Sequence, residues 1–217
     1  MAANVTSKTT LWLRRETKLG ERRTALTPAD ARTLIQAGVE VFVETCFQRI
    51  FEDSEYEDAG CKLSAETWVT HCPLDTPVLG LKELPSSELP LKHTHIYFGH
   101  CFKDQPGWTV LLDRFDRGGG RLYDLEFLLD HAGNRVAAFG YHAGFVGAAL
   151  GLMATEAQEV SGKRLEPITQ SEDEKVLVAK GRRALTALKG VKALVIGPNG
   201  RCGKGAIVYF RLAGLAE

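Results

Sequence analysis

The sequence has no excess of charge of either sign, since 27 lysines and arginines balance 27 aspartates and glutamates among 217 residues. The composition therefore gives no reason to expect a nucleic acid or an anionic membrane as a partner. Long hydrophobic runs are also missing: no window approaches the roughly 20 apolar residues that cross a bilayer, and the opening MAANVTSKTT lacks the apolar core of a signal peptide. We expect an intracellular protein, cytoplasmic, or peroxisomal if a longer form of the chain ends in a targeting tripeptide.

Cysteine is scarce and scattered, with no C-x-x-C pair, so we expect reduced thiols. A zinc site built from His93, His95, His100 and Cys101 is a minor alternative, because zinc usually needs further well-placed ligands, and we expect no metal. Cys202, near a predicted helix N-terminus, fits a redox-sensitive thiol, although a small buried thiol is the more common role.

The first 44 residues have the order strand, loop, helix, strand. Leu11–Arg14 and the β-branched, alternating Val39–Glu44 are predicted strands. Thr27 and Pro28 are a good N-cap and first residue for a helix that runs to Gly38. Because strands and helices go on alternating, the sequence predicts an α/β fold with mainly parallel sheets. We expect two Rossmann-like doubly wound domains, the second one truncated.

The loop after the first predicted strand, RETKLGERR, is rich in basic residues. Such a segment is usually solvated surface. In a doubly wound domain, however, the loop after the first strand borders the ligand crevice. Arginine is the side chain best suited to hold a carboxylate through two parallel hydrogen bonds, so the loop is a candidate anion site.

Two further strand ends deliver ionisable side chains. The apolar strand that begins at Val78 ends in Gly80-Leu81-Lys82-Glu83, and the strand HIYF ends in Gly99-His100. Neighbouring carboxyl ends of parallel strands face one crevice, where Lys82 and His100 would be a candidate acid and base pair. On residue types alone, a solvated Lys82–Glu83 pair and a hydrogen-bonded structural histidine are the more common arrangement.

A third strand end follows. Arg121–Phe127 is a predicted strand with Glu126 near its end, and Arg135–Phe139 is the next predicted strand after a turn. Glu126 is therefore expected at the same edge as Lys82 and His100. The segment Gly140–Gly151 is rich in small residues, which is more often a packing device than a ligand site.

The strongest local pattern is the predicted strand VKALVIG followed by a glycine-rich turn and an apolar helix. Glycines let the backbone approach a phosphate, and the helix N-terminus supplies N–H groups and a favourable dipole. Pro198 and Asn199 interrupt the usual G-x-G-x-x-G spacing, and a tight turn without a ligand is the alternative. Glu217 is rejected as the ribose ligand, because no room is left for a second strand before it. The candidate cofactor residues are Gly197, Gly200, Arg201, Cys202, Gly203 and Gly205.

These patterns divide the chain into three parts. We expect residues 1–140 to form a substrate-side Rossmann-like domain, residues 141–190 to be connecting helices and a linker, and residues 191–217 to begin an incomplete cofactor-binding Rossmann domain.

The chain resembles the fungal saccharopine dehydrogenases that form L-lysine and use NAD. A weaker likeness, through the E…R.ALTP opening and the lysine after the later strand, joins it to alanine dehydrogenases and transhydrogenase subunits. The stretches that carry the resemblance cover nearly the whole chain in order: Arg15–Lys18, Glu21–Pro28, Gly80–Glu83, Gly99–Gln105, Leu122–Phe127, Arg135–Gly140, Ala143–Phe145 and Gly200–Gly203.

The resemblance implies the reaction in which saccharopine, NAD and water give lysine, 2-oxoglutarate and NADH. Lys82 matches the lysine that takes the amine proton, and His100 matches the histidine that shuttles protons during hydrolysis of the imine. Glu83 and Glu126 match acids that tune the charge of the site. The matched ligands of the substrate carboxylates are Arg23 and Arg135, with Lys18 and Glu21 close by.

Two other functions stay open. An alanine dehydrogenase-like enzyme would not need the extra basic residues, and a truncated, non-catalytic protein would fold in part or interact with a full-length partner. Family members continue through the rest of the cofactor domain and then return to the first domain. We therefore expect the 217-residue chain alone to be unstable or inactive. The expected partners are small-molecule substrates and NAD, and a monomer is favoured.

Overall fold

The computed structural model describes residues 9–101, 105–171 and 173–215, which form two compact units, one ending at Ala137 and the other starting at Ala138. The first unit holds one parallel sheet of six strands in the order β3-β2-β1-β4-β5-β6. This is the order of a doubly wound Rossmann domain, so the expected α/β fold is confirmed here. The strands are β1 (Thr10–Leu13), β2 (Glu40–Glu44), β3 (Lys62–Ser64), β4 (Val78–Leu79), β5 (Thr94–Tyr97) and β6 (Arg121–Asp124).

Four helices connect these strands. Thr27 caps the first as expected: its side-chain oxygen accepts from the Asp30 N–H at 3.2 Å, and Pro28 occupies the first turn. The helix ends at Gln36, two residues before the expected Gly38. The helices are α1 (Pro28–Gln36), α2 (Asp53–Asp58), α3 (Trp68–His71) and α4 (Trp108–Gly118).

Side chains alternate between the two faces of the sheet, and both faces are covered. Leu11 and Leu13 on β1 and Val41 and Val43 on β2 join one apolar cluster, whereas Trp12 and Phe42, which lie between them on the same strands, belong to another. This is the period of two that a strand requires. Because both faces are buried, the strands read as apolar runs, as expected of an all-parallel sheet.

His95 lies in the centre of β5 with no exposed surface, and neither ring nitrogen has a hydrogen-bond partner among the described residues. Aromatic rings enclose it; the Trp68 ring centroid is 4.6 Å away and that of Phe115 5.6 Å. Burial lowers the pKa of His95 to about 3. The neighbouring His93 is different, because its Nε2 contacts the Cys72 carbonyl oxygen at 2.9 Å.

The second unit consists of α5 (Tyr141–Ser161), α6 (Glu174–Ala187) and α7 (Arg201–Ala213), which share one apolar core. Glycines bring α5 and α7 together. A Cβ on Gly205 would lie 1.9 Å from the Tyr141 carbonyl oxygen, and one on Gly144 would lie 1.9 Å from the Cys202 carbonyl oxygen. The expected packing role of the small residues in Gly140–Gly151 therefore holds for Gly144.

The prediction of a strand at VKALVIG is wrong, because residues 191–195 do not form a strand. A strand needs a neighbour for its N–H and C=O groups, and no described segment pairs with this one. Its side chains are correspondingly open, with Leu194 88% and Ile196 91% exposed. The glycine turn and the helix after it do form, although α7 begins at Arg201 rather than in the apolar run that starts at Ala206.

Two other strand predictions need correction. The Asp124 side chain accepts from the Glu126 N–H at 2.9 Å, which ends β6 early and bends Leu125–Phe127 into a single 3-10 turn. Arg135–Phe139 is not a strand either. The Asp130 turn reverses the chain, so that this segment makes one antiparallel bridge, Leu129 to Arg135, instead of adding to the parallel sheet.

None of the described helices combines the length and the apolar composition that a membrane-spanning segment requires.

The His95 environment predicts a stability that falls with acidity. The folded-state pKa lies below the usual 6.5, so the unfolded chain binds a proton first and the free energy of unfolding decreases as the pH falls from about 6.5 towards 3. The slope from this group is at most about 1.4 kcal/mol per pH unit. His95→Leu should flatten the urea-unfolding stability profile between pH 7 and pH 5, whereas substitution of the exposed His131 by Gln should not. Parallel profiles for wild type and His95→Leu would contradict this expectation.

The contact at Gly205 predicts a steric penalty. Gly205→Ala places a methyl group against backbone and should lower the free energy of unfolding by about 1–3 kcal/mol. Gly147 is the matched control: it lies in α5, and a Cβ at this position would have no atom within 4 Å from elsewhere in the structure. Its substitution by Ala should be neutral or stabilising by up to ~1 kcal/mol. Urea unfolding followed by helical circular dichroism measures both variants. Equal stabilities would show that α5 and α7 do not pack this closely.

Candidate active site

The candidate site lies where the strand order changes direction. β1 pairs with β2 on one side and β4 on the other, so the chain segments that follow β1 and β4 leave the sheet next to one another. Ligands of open α/β sheets bind at such switch points, outside the carboxyl ends of the strands. The loop after β1 carries Lys18, Glu21 and Arg23, and the loop after β4 carries Lys82 and Glu83.

An ion pair joins these two loops. Lys18 Nζ donates to Glu83 Oε1 at 2.7 Å, and each side chain is about half exposed. This hydrogen bond raises the pKa of Lys18 and lowers that of Glu83. An exposed pair adds little to stability. Its effect here is local, because it places a cation and an anion at the mouth of the crevice.

A second ion pair lies within the loop after β1. Arg23 holds Glu21 through two parallel bonds, Nε to Oε1 at 2.8 Å and Nη2 to Oε2 at 2.6 Å. The hydrogen bond from Arg23 lowers the pKa of Glu21, and the charge of Lys82 lowers it further. The same interaction raises the pKa of Arg23. Arg23 therefore already presents its guanidinium fork to a carboxylate, the geometry expected of an anion ligand.

His100 follows β5 in a left-handed backbone conformation, with φ of 53°. A non-glycine residue seldom adopts this conformation, and such residues concentrate at functional sites. The ring stacks on that of Phe98 with centroids 6.4 Å apart. The next residues, 102–104, lie outside the described residues, so the matched stretch Gly99–Gln105 is described only in part.

The structure brings four of the expected residues to one cleft of about 830 Å³. This volume is within the usual range of small-molecule sites, roughly 300–1,000 Å³. The cleft continues along the first turns of α4, from Trp108 to Arg114. The expected site residues that line it are Lys18, Lys82, Glu83 and His100.

Glu126 and Arg135 contact each other instead. Arg135 Nη1 lies 2.6 Å from Glu126 Oε1, just beyond β6, the strand next to β5. Neither side chain lines the cleft that contains Lys82 and His100. The sequence placed Glu126 near the end of a predicted strand but put Arg135 at the start of a strand that does not form, so their ion pair could not be read from it.

Three buried charged residues at this edge were not identified as important from the sequence. Glu44, at the end of β2, is 1% exposed; its Oε1 accepts from the Trp12 indole at 2.9 Å and from the Trp68 N–H at 2.6 Å. Arg14 and Glu16 are also buried, and both contact the loop after β4. Their position at or shortly after strand ends was the available signal, but the burial of a charge depends on which loops cover it.

In the second unit, the glycine turn closes tightly before α7. Gly197 has a φ of 73° and its carbonyl accepts from the Gly200 N–H at 3.1 Å, while Gly200 is the N-cap of α7. A Cβ on Gly203 would lie 2.2 Å from the Gly197 carbonyl oxygen. The side chains of Arg201 and Cys202 are exposed in the first turn, so a buried Cys202 thiol is wrong. This loop and helix N-terminus fit a pyrophosphate group.

Sequence comparison places these features in a family. Residues 12–146 match the family model described as the alanine dehydrogenase/PNT N-terminal domain. A saccharopine dehydrogenase [NAD(+), L-lysine-forming] of Emericella nidulans is 46% identical over 95% of this chain and 57% of its own length. The enzyme of that name from Yarrowia lipolytica is 48% identical over 98% of this chain and 60% of its own length. The chain thus spans a little more than half the length of these curated relatives.

Solved structures agree on the fold. An L-alanine dehydrogenase superposes with a TM-score of 0.52 at 18% identity, covering 94% of this chain and 53% of that one. A transhydrogenase from Sinorhizobium meliloti gives a TM-score of 0.53 at 14% identity, covering 92% and 62%. At such low identity the likeness concerns the fold alone. The family model spans more than half of the chain, and the chain belongs to the alanine dehydrogenase/PNT N-terminal domain family.

Proposed function

We propose that this chain carries the substrate site, and the beginning of the NAD-binding region, of a saccharopine dehydrogenase that forms L-lysine. The observation that carries the proposal is the meeting of Lys82 and His100 in one cleft at the switch point of the sheet. The identity of 46% and 48% to two enzymes of this name supports it. The overall reaction converts saccharopine, NAD and water into lysine, 2-oxoglutarate and NADH.

Lys82 is the proposed proton acceptor for the secondary amine of saccharopine. An amine must lose its proton before the carbon–nitrogen bond is oxidised, and a lysine amine in hydrogen-bond reach supplies the base. His100 is proposed to hold and pass protons at the water that adds to the imine carbon and at the nitrogen that leaves as lysine. The acids Glu83 and Glu126 are proposed to set the negative charge at this edge of the sheet, Glu83 in the cleft beside Lys18 and Glu126 beyond β6 beside Arg135.

The carboxylates of the substrate are proposed to bind the basic side chains at the same edge. Arg23 presents two parallel donors, Lys18 is a point charge at the mouth of the cleft, and Arg135 lies beyond the next strand. Glu21 and Glu83 already hold Arg23 and Lys18, so the ligand exchanges one carboxylate partner for another. A substrate as small as alanine has no use for so many cations, which favours saccharopine over the alanine dehydrogenase alternative.

NAD is the proposed cofactor, and it supplies the hydride acceptor when bound. The proposed ligands of its pyrophosphate are the backbone of Gly197, Gly200 and Arg201 and the N-terminus of α7, with Cys202 beside them. Gly203 and Gly205 contribute indirectly, because their missing side chains let the turn and α5 pack against α7. We accordingly propose that the NAD-binding domain begins at residue 191, that residues 1–140 form the substrate-side domain, and that residues 141–190 connect the two.

The first test is NADH formation from saccharopine by two proteins. One is the 217-residue chain; the other, the extended chain, is this chain continued with the C-terminal part of the Yarrowia lipolytica relative. We expect activity only in the extended chain, and we expect Lys82→Met and His100→Gln each to lower its kcat by about 100-fold or more. Alanine in place of saccharopine should give no NADH. Turnover of alanine but not saccharopine would overturn the proposal.

The Arg23 contact predicts a selective loss of substrate affinity. Arg23→Gln in the extended chain removes a charge-assisted bidentate contact and should raise KM for saccharopine about tenfold or more, with KM for NAD unchanged. Substitution of Arg32 by Gln, an exposed arginine on α1, is the matched control and should leave both constants unchanged. An unchanged KM for saccharopine in Arg23→Gln would mean that Arg23 does not bind the substrate.

A further inference from the structure

The backbone of Lys82 is held by side chains from the end of β1. Glu16 Oε1 accepts from the Leu81 N–H at 2.7 Å, and Glu16 Oε2 accepts from the Lys82 N–H at 3.0 Å. Arg14 Nη2 donates to the Lys82 carbonyl oxygen. Arg14 also pairs with Glu16, with Nη1 and Oε2 3.3 Å apart. Both backbone groups of Lys82 are therefore held: Glu16 accepts from its N–H, and Arg14 donates to its C=O.

Gly80 makes this arrangement sterically feasible. A Cβ on Gly80 would lie 2.2 Å from Nε of Arg14, so any side chain there would displace the guanidinium group from its path to the Lys82 carbonyl. The φ of Gly80 is not positive. The requirement at this position is thus space for Arg14, not backbone freedom.

Strand pairing alone does not hold Lys82. The β4 ladder consists of two residues, and beyond it the Gly80 N–H donates to the Ile96 carbonyl at 2.9 Å and the Phe98 N–H to the Leu81 carbonyl at 3.4 Å, one residue short of Lys82. Arg14 and Glu16 are 2% and 7% exposed, so water competes little for these contacts. Buried hydrogen bonds to charged groups are short and strong, and they fix geometry as well as energy.

We propose that Arg14 and Glu16 are positioning residues that direct the Lys82 amine into the cleft. This inference rests on the proposed function, in which Lys82 accepts the amine proton. With the peptide plane on both sides of Lys82 fixed, only side-chain rotamers decide where its amine lies. A proton acceptor is effective only within hydrogen-bond reach of its proton, so loosening the backbone lowers kcat without changing how NAD binds.

The test uses Glu16→Gln in the extended chain, because glutamine keeps the size of the side chain but offers one acceptor oxygen for two N–H groups. Hydrogen exchange of the peptide that covers Leu81 and Lys82 should accelerate about tenfold or more, while peptides from β2 keep their wild-type rates. The kcat with saccharopine should fall about tenfold or more, with KM for NAD unchanged. If Glu16→Gln does not fold, Arg14→Lys is judged by the same two measurements.

Asp53→Asn is the matched control, because it removes the carboxylate partner of another buried arginine, Arg49, at a place that does not touch Lys82. It should lower stability and leave kcat unchanged. A folded Glu16→Gln or Arg14→Lys variant with wild-type kcat overturns the positioning inference, as does a loss of kcat that Asp53→Asn reproduces. Inactivity of the unsubstituted extended chain refutes the proposed function, and wild-type kcat in Lys82→Met refutes the role of Lys82 on which both proposals rest. An active extended chain whose kcat falls in Lys82→Met but not in Glu16→Gln refutes the positioning inference alone.

Discussion

The parallel pairing of β1 with both β2 and β4 is the constraint on which the candidate site depends. β1 lies between two parallel neighbours at the point where the strand order reverses, so the loop after it lies beside the loop after β4, a strand paired with it 66 residues later in the sequence. Lys18 meets Glu83, and Glu16 meets Leu81, for this reason. Residues that a linear reading assigns to separate surface loops thus form one electrostatic unit.

The charged residues at this edge of the sheet lie in two layers, an exposed outer one and a buried inner one. The outer pair, Lys18 with Glu83, is about half exposed and free to exchange partners with a carboxylate ligand. The inner groups, Glu44 and Glu16, are buried: Glu44 accepts from the Arg15 N–H in the loop that carries Lys18, and Glu16 accepts from two N–H groups in the loop that carries Glu83. The inner layer is costly to break, because removing one partner leaves an uncompensated buried charge. Buried residues that hold the loops in place, together with surface charges that can change partners, suit the binding of a charged substrate.

The fold of the first unit could be read from the sequence because its signals are local. The Thr27 cap, the alternation in β2 and the apolar runs of β4 and β5 each predict an element within a few residues of its observed limits. Strand ends then predict which residues share an edge, which is why Lys82 and His100 were expected together. The failures have non-local causes. The segment at residues 191–195 needs a pairing partner, and the segment at residues 135–139 is redirected by a turn held by Asp130. The burial of Arg14 and Glu16 depends on a loop some 65 residues away.

The most direct test of the proposed site is a crystal structure of the extended chain with saccharopine bound. We expect a substrate carboxylate within hydrogen-bond distance of the Arg23 guanidinium, and the secondary amine within about 3.2 Å of Lys82 Nζ. Glu16 should still accept from the Lys82 N–H in that complex. Saccharopine bound away from the cleft, or with its amine out of reach of both Lys82 and His100, would contradict the central claim that this switch point is the catalytic site.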